Sequence, residues 1–191
     1  MDISKLKKLL KDQVLVIVGF MGIGKSTLGS KLSSQLSLSF VDTDKEIEKI
    51  ENLSIRKIFS TYGEQYFREK EEEYILKLLA NNKGNLLISL GGGSFINKNI
   101  RHSIKNKNVI SLWLNVDVEV IFNRLKRYNE KRPLTKEFNT LDKIQVLLNK
   151  RSSFYKEADI ELKVNNLSKN KVLKLAYEKL LVYLENRNEK D

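Results

Sequence analysis

An unbroken β-branched run, VLVIV at 14–18, leads without a linker into GFMGIGKST at 19–27. Apolar residues at every position, rather than at alternate ones, suit a strand covered on both faces, as in a parallel sheet flanked by helices. The segment that follows satisfies G-x-x-x-x-G-K-[ST] from Gly19 to Ser26. Its glycines permit a tight loop whose N–H groups converge on phosphate oxygens, and the helix starting there adds the positive end of its dipole. An ordinary glycine-rich turn needs neither the lysine nor the hydroxyl at these positions. A nucleoside triphosphate is therefore expected on Gly22, Ile23, Gly24, Lys25, Ser26 and Thr27, with Lys25 bridging the β- and γ-phosphates and Ser26 on Mg²⁺.

The rest of the chain alternates in the same manner. Helices are expected near 25–36, across 44–51 and 54–61, from 64 to 80, and near 117–127, 140–156 and 168–186. Further strands are expected to end in FVD at 40–42 and to cover LLISL at 86–90, VISLWL at 109–114 and IELKV at 160–164. Five strands interleaved with helices predict a three-layer α/β/α fold with a five-stranded, mostly parallel sheet. A length of 191 residues fits one core, so a single domain over 1–191 is expected, with its core at 14–187. Pro133 falls in RYNEKRPLTKEFN, a charged stretch without a period that predicts a mobile loop.

Composition removes several classes of chemistry. The absence of cysteine excludes disulfides, thiolate nucleophiles and cysteine-ligated metals, and a single histidine, His102, argues against a multi-histidine site. No apolar run approaches the roughly 20 residues of a membrane span. The opening MDISKLKKLLKDQ is too polar for a secretion signal, so a cytoplasmic protein without membrane partners is expected. The net charge of +11 admits a nucleic-acid binder, but the lysines are spread along the chain without a basic tail, which favours a solvated surface that steers anions. There is no Asn-Lys-x-Asp guanine-reading segment, and the chain is short for a motor domain. A small ATP-dependent phosphotransferase leads.

An acceptor site is expected where the parallel strands end. There FVDTDKEIEK supplies Asp42, suited to a water on Mg²⁺, and Asp44, suited to accept a proton from an attacking hydroxyl. Thr43 with Glu46 also fits a helix capping box. In the helix from 64, Glu71 lies on the apolar stripe of Phe67, Tyr74, Ile75, Leu78 and Leu79 with Arg68 beside it; a surface pair of Arg68 with Glu72 is the plainer alternative. Arg151 continues the series Leu141, Ile144, Leu148 and Tyr155 at steps of three and four, which puts a cation on a buried face. Unpaired, it would cost several kcal/mol, so it meets an acid of the protein or an anionic ligand. Arg132, in KRPL, is suited to reach the triphosphate as a loop closes, or is one more exposed arginine.

Taken together, GFMGIGKST, DTD at 42–44, G-E-x-x-F-R-x-x-E from Gly63 to Glu71, LGGG at 90–93, RPL at 132–134 and R-x-x-x-Y from Arg151 to Tyr155 resemble the shikimate kinases, of the nucleoside-monophosphate-kinase-like group. The resemblance runs from about residue 14 to 165. It implies transfer of the γ-phosphate of ATP, with Mg²⁺, to the 3-hydroxyl of shikimate, in the route to chorismate and the aromatic amino acids. It makes Asp44 the base and Arg68 with Arg151 the holders of the acceptor carboxylate. Gly91, Gly92 and Gly93 line the substrate, with Gly92 in backbone contact and no room for a side chain there. Ser26 and Asp42 serve the metal, and Arg132 is the residue of a lid at 128–139. The acceptor-binding segment covers about 43–80; a monomer that binds no nucleic acid is expected. For the arginine stacked on adenine, Arg127 is preferred to Arg124. Where some family members offer an arginine to the nucleotide this chain has NNLSK at 165–169, leaving adenine contacts there open. A kinase for gluconate or a nucleoside monophosphate is the alternative acceptor class.

Overall fold

The computed structural model describes residues 3–81, 84–105, 108–129 and 140–189, apart from the side chains of 127–129 and 188. Its strands are β1 (Val14–Val18), β2 (Ser39–Asp42), β3 (Leu86–Ser89), β4 (Val109–Asn115) and β5 (Ile160–Lys163). They form one sheet in the order β2-β3-β1-β4-β5, and every neighbouring pair is parallel. The helices are α1 (Ile3–Leu9), α2 (Lys25–Leu36), α3 (Thr43–Glu51), α4 (Ile55–Ala80), α5 (Lys98–Ile104), α6 (Val118–Asn129), α7 (Leu141–Tyr155) and α8 (Lys169–Asn188).

The continuous apolar run of β1 has a direct cause: it is the central strand and both its faces are covered. Leu15 and Ile17 join the core that carries Leu28, Leu32, Ile121 and Tyr177, whereas Val14, Val16 and Val18 join the core of Ile75, Ile88, Ile100 and Tyr155. Each such side chain removed from water contributes about 1.5–3 kcal/mol, so an alternating pattern would leave one layer unsupported. Because β1 is flanked by β3 and β4, the C-terminal ends of β1, β2 and β3 release their loops along one edge, at the reversal of strand order. A third, smaller core of Ile47, Ile58 and Phe67 knits α3 to the first half of α4.

Helix α4 is broken where two helices were expected to meet: Gly63 has φ 87° and ψ 170°. Only glycine takes this conformation without strain, and it re-aims the second half of α4, which carries Arg68 and Glu71. Helices α1 and α5 were not expected. Helix α1 buries Leu6, and its Lys5 pairs with Glu185 of α8. One correction concerns α7: Ile144 and Tyr155 are buried, but Leu141, the first of the expected apolar series, is exposed. It opens the helix directly after the Thr140 cap, before the helix has reached the core.

Candidate active site

The phosphate loop leaves β1 and ends at Gly24, whose φ of 102° turns the chain into α2. Lys25 is buried, and its Nζ donates to the carbonyls of Gly19 at 3.0 Å and Phe20 at 2.8 Å. The ammonium thus lies inside the loop, on carbonyls it can exchange for stronger anionic acceptors. Burial lowers its pKa to about 8, against the raising fields of Asp44 and Asp42. Ser26 is exposed, with its Oγ 3.5 Å from that of Ser89 at the end of β3. A Cβ on Gly24 would meet no atom within 4 Å, so open space faces the loop there. This loop fits a triphosphate, and the Ser26 hydroxyl with a nearby carboxylate suits Mg²⁺, which takes few protein ligands.

Beside the loop lies a cavity of about 570 Å³ between Gly22–Thr27, Arg124 and the start of α8. Arg124 donates to the Ile23 carbonyl at 2.6 Å, tying α6 to the phosphate loop. Leu167, Ser168 and Lys169 of the NNLSK segment line the same cavity. The structure therefore places Arg124 at the cavity, whereas the side chain of Arg127, together with Arg132, Pro133 and the expected lid over 130–139, lies outside the described residues.

Asp42 ends β2 and caps α3, its Oδ1 accepting from the Lys45 N–H at 3.3 Å. The capping box expected from Thr43 and Glu46 is thus displaced by one residue. Thr43 is fully buried instead; its Oγ1 donates to the Ser89 carbonyl at 3.3 Å and accepts from the Gly91 N–H at 3.1 Å. That pair of bonds fixes the start of α3 to the end of β3, which sets Asp44 against the glycine turn. Burial raises the Asp44 pKa to about 6, opposed by Lys25 and supported by Glu71 and Asp42.

Arg68 does not pair with Glu72. Its Nη1 donates to the buried Glu71 at 2.8 Å, and its Nε and Nη2 donate to the exposed Glu64 at 3.2 and 3.0 Å. Glu71 also accepts from Ser94 Oγ at 2.6 Å, while Glu72 is taken by Asn97 and Asn99. One edge of the Arg68 fork is held by the interior and the other by a solvated carboxylate that another carboxylate can replace. Arg151 donates to the Gly92 carbonyl at 3.1 Å and lies over the Phe20 ring of the phosphate loop at 5.6 Å. Its Nε is buried without a hydrogen-bond partner among the described residues.

The glycine triplet is where these parts meet. A Cβ on Gly91 would stand 2.6 Å from both Asp44 Oδ1 and Glu71 Oε1, and one on Gly93 2.8 Å from both terminal nitrogens of Arg68. A Cβ on Gly92 would stand 2.9 Å from the Met21 backbone nitrogen, so the main-chain neighbour that excludes a side chain there is the phosphate loop. These contacts separate two outcomes. Gly93→Ala displaces the tip of a flexible arginine and is expected to raise the acceptor KM about tenfold with little loss of stability. Gly92→Ala presses on backbone and is expected to cost about 1–3 kcal/mol of stability and to weaken nucleotide binding. Thermal melts and separate KM measurements for the two substrates check both.

Signals for the supporting residues were faint. Ser89 and Ser94 are single hydroxyls at the borders of apolar segments, and Arg101, which donates to the carbonyls of Phe95 and Ile96 and pairs with Glu157, stands in a helix too short to show a period. A parallel sheet with a phosphate loop on its central strand, and a carboxylate with two arginines across the edge, define a kinase of the phosphate-loop class acting on a small acceptor. The sequence profile of the family described as shikimate kinase matches residues 21–181. A shikimate kinase of Bartonella henselae is 34% identical over 182 residues, covering 95% of this chain and 85% of the relative. The solved shikimate kinase of Acinetobacter baumannii in complex with shikimate superposes with a TM-score of 0.81 at 30% identity, covering 95% of this chain and 98% of that one. That of Aquifex aeolicus gives 0.74 at 32% identity, covering 94% and 100%. The chain belongs to the shikimate kinase family.

Proposed function

We propose that this chain transfers the γ-phosphoryl group of ATP to the 3-hydroxyl of shikimate, with Arg68 and Arg151 holding the acceptor carboxylate and Asp44 receiving the hydroxyl proton. The observation that carries the reading is the glycine turn: consecutive residues abut Arg151 at the Gly92 carbonyl and Arg68 at Gly93, with Asp44 at Gly91 and the phosphate loop at Gly92. A solved relative supports it, since the Acinetobacter baumannii protein was solved with shikimate. The acceptor-binding segment over about 43–80 corresponds to α3 and α4, and the lid would come from about 128–139, bringing Arg132 onto the phosphates. Arg124 stands where a nucleotide base would lie; Arg127 shares that assignment. We take the enzyme to act as a monomer. Among the described residues no helix is long and apolar enough to cross a membrane. We assign the enzyme to the cytoplasm on the polar opening of its sequence, MDISKLKKLLKDQ.

When bound, ATP supplies the phosphoryl group and Mg²⁺, held through Ser26 and Asp42, offsets the charge of its phosphates. The residues of the chain do the rest. Arg68 and Arg151 fix the acceptor in bidentate fashion, turning the 3-hydroxyl toward Asp44. Asp44 takes the proton as the hydroxyl oxygen bonds to the γ-phosphorus, the bond from that phosphorus to the β–γ bridging oxygen breaks, and the electron pair leaves with ADP. Lys25 exchanges the loop carbonyls for phosphate oxygens and offsets the charge that develops on them.

The pH profile follows from two groups. Asp44 must be ionised and Lys25 protonated, so kcat/KM for shikimate is expected to rise through about pH 6 and kcat/KM for ATP to fall above about pH 8. A profile flat across both limbs would remove these groups from the rate. A coupled ADP-release assay with shikimate, gluconate and AMP tests the acceptor: turnover is expected with shikimate, and turnover with gluconate or AMP in its absence would overturn the assignment.

A further inference from the structure

The Gly92 carbonyl receives two donors from α7: Arg151 Nη1 at 3.1 Å and the Tyr155 hydroxyl at 2.5 Å. Tyr155 is fully buried, and its ring stacks on Trp113 with centroids 6.1 Å apart. Burial pushes its phenol up to about 12, against the field of Arg151, so the hydroxyl remains a donor wherever the enzyme works. Arg151 precedes Tyr155 by one helical turn, with Nη1 on the shared carbonyl and Nε buried and unpartnered among the described residues. The direction of that carbonyl therefore governs the direction of the free edge of the guanidinium.

We propose that Tyr155 is a positioning residue for acceptor binding: its hydroxyl fixes the Gly92 carbonyl, and the carbonyl in turn sets the Arg151 guanidinium so that Nε and the far amino group meet the acceptor carboxylate. The proposal rests on the assignment of Arg151 to that carboxylate. A hydroxyl that served packing alone would have no need to reach the glycine turn. With it gone, Arg151 is the one donor left to the carbonyl among the described residues, so carbonyl and guanidinium move as one and the fork is presented to substrate in several orientations.

Tyr155→Phe keeps the ring and its stacking on Trp113 and removes only the hydroxyl. Its KM for shikimate is expected to rise about five- to tenfold while its KM for ATP stays within about twofold, as for loss of one buried hydrogen bond acting on one substrate. An unchanged shikimate KM, an equal rise in both values, or loss of the folded state would each overturn the proposal. In an Arg151→Lys background the same change is expected to add less than about twofold, because the fork through which it acts is already gone. Full multiplication of the two effects would also overturn it. If Arg151→Lys raises the shikimate KM and Tyr155→Phe does not, the role of Tyr155 alone fails. If Arg151→Lys itself leaves that KM unchanged, the failure belongs to the carboxylate assignment beneath it.

Discussion

Asp44→Asn is expected to lower turnover about a thousandfold, the scale of a positioned general base, while the protein folds and binds ATP as before. The amide keeps the shape of the side chain but cannot take the acceptor proton. The same change is expected to make the protein more stable. Burial raises the Asp44 pKa from 3.8 to about 6, so the folded state favours the neutral form. A carboxyl raised in this way adds stability that is full below about pH 4 and is lost as pH rises through about 6. Above that window the native carboxylate is held at a cost that asparagine does not carry. Asp44→Asn should gain about 1–3 kcal/mol over the native chain at pH 8 and close to nothing at pH 3. Denaturant melts at the two pH values, paired with single-turnover rates, check both halves. Turnover within tenfold of the native chain would mean that the hydroxyl needs no carboxylate partner.

Arg151→Ala is the second large effect. Loss of a charge-assisted pair to a carboxylate in a largely dry site is worth about 3 kcal/mol, so the KM for shikimate should rise about a hundredfold. The KM for ATP should stay within about twofold. Turnover at saturation should drop about tenfold as well, because an acceptor held by Arg68 alone swings its hydroxyl away from Asp44. Stability should change little: among the described residues Nε has no partner to lose, and the Gly92 carbonyl keeps the Tyr155 hydroxyl. Initial rates with each substrate varied in turn separate these values. Equal rises in both Michaelis constants would place Arg151 outside the acceptor site.

The parts legible in the sequence were those whose cause is local. The spacing from Gly19 to Ser26 dictates a loop and a helix start, and α2 begins at Lys25 as that spacing requires. The unbroken VLVIV is apolar because both faces of β1 are covered. Arg151 and Glu71 stood out because charge on an apolar stripe has to be answered: Glu71 is met by Arg68, whereas Arg151 meets the neutral Gly92 carbonyl and keeps its charge for an anionic ligand. What escaped depended on partners distant in the chain. Nothing near Thr43 announces that its hydroxyl will bridge to Ser89 and Gly91, and a capping pattern one residue out of step hid that role behind an ordinary one. The three glycines read as a place of close approach, but which neighbour each faces depends on how α4, β2 and the phosphate loop converge. Helix α1 carried a weak period in ISKLKKLL, and it is stabilised by α8, which comes some 160 residues later. Short α5 exists because Asn97 caps it, accepting from the N–H groups of Asn99 and Ile100.

The central claim is one of placement: a single cleft holds the triphosphate and an acidic alcohol against each other. A crystal structure with shikimate and a non-hydrolysable ATP analogue tests it most directly. The acceptor carboxylate should lie between the guanidinium groups of Arg68 and Arg151, with the 3-hydroxyl within hydrogen-bonding distance of Asp44 and facing the terminal phosphate. A carboxylate bound away from both arginines, or a different hydroxyl presented to the phosphate, would contradict the account.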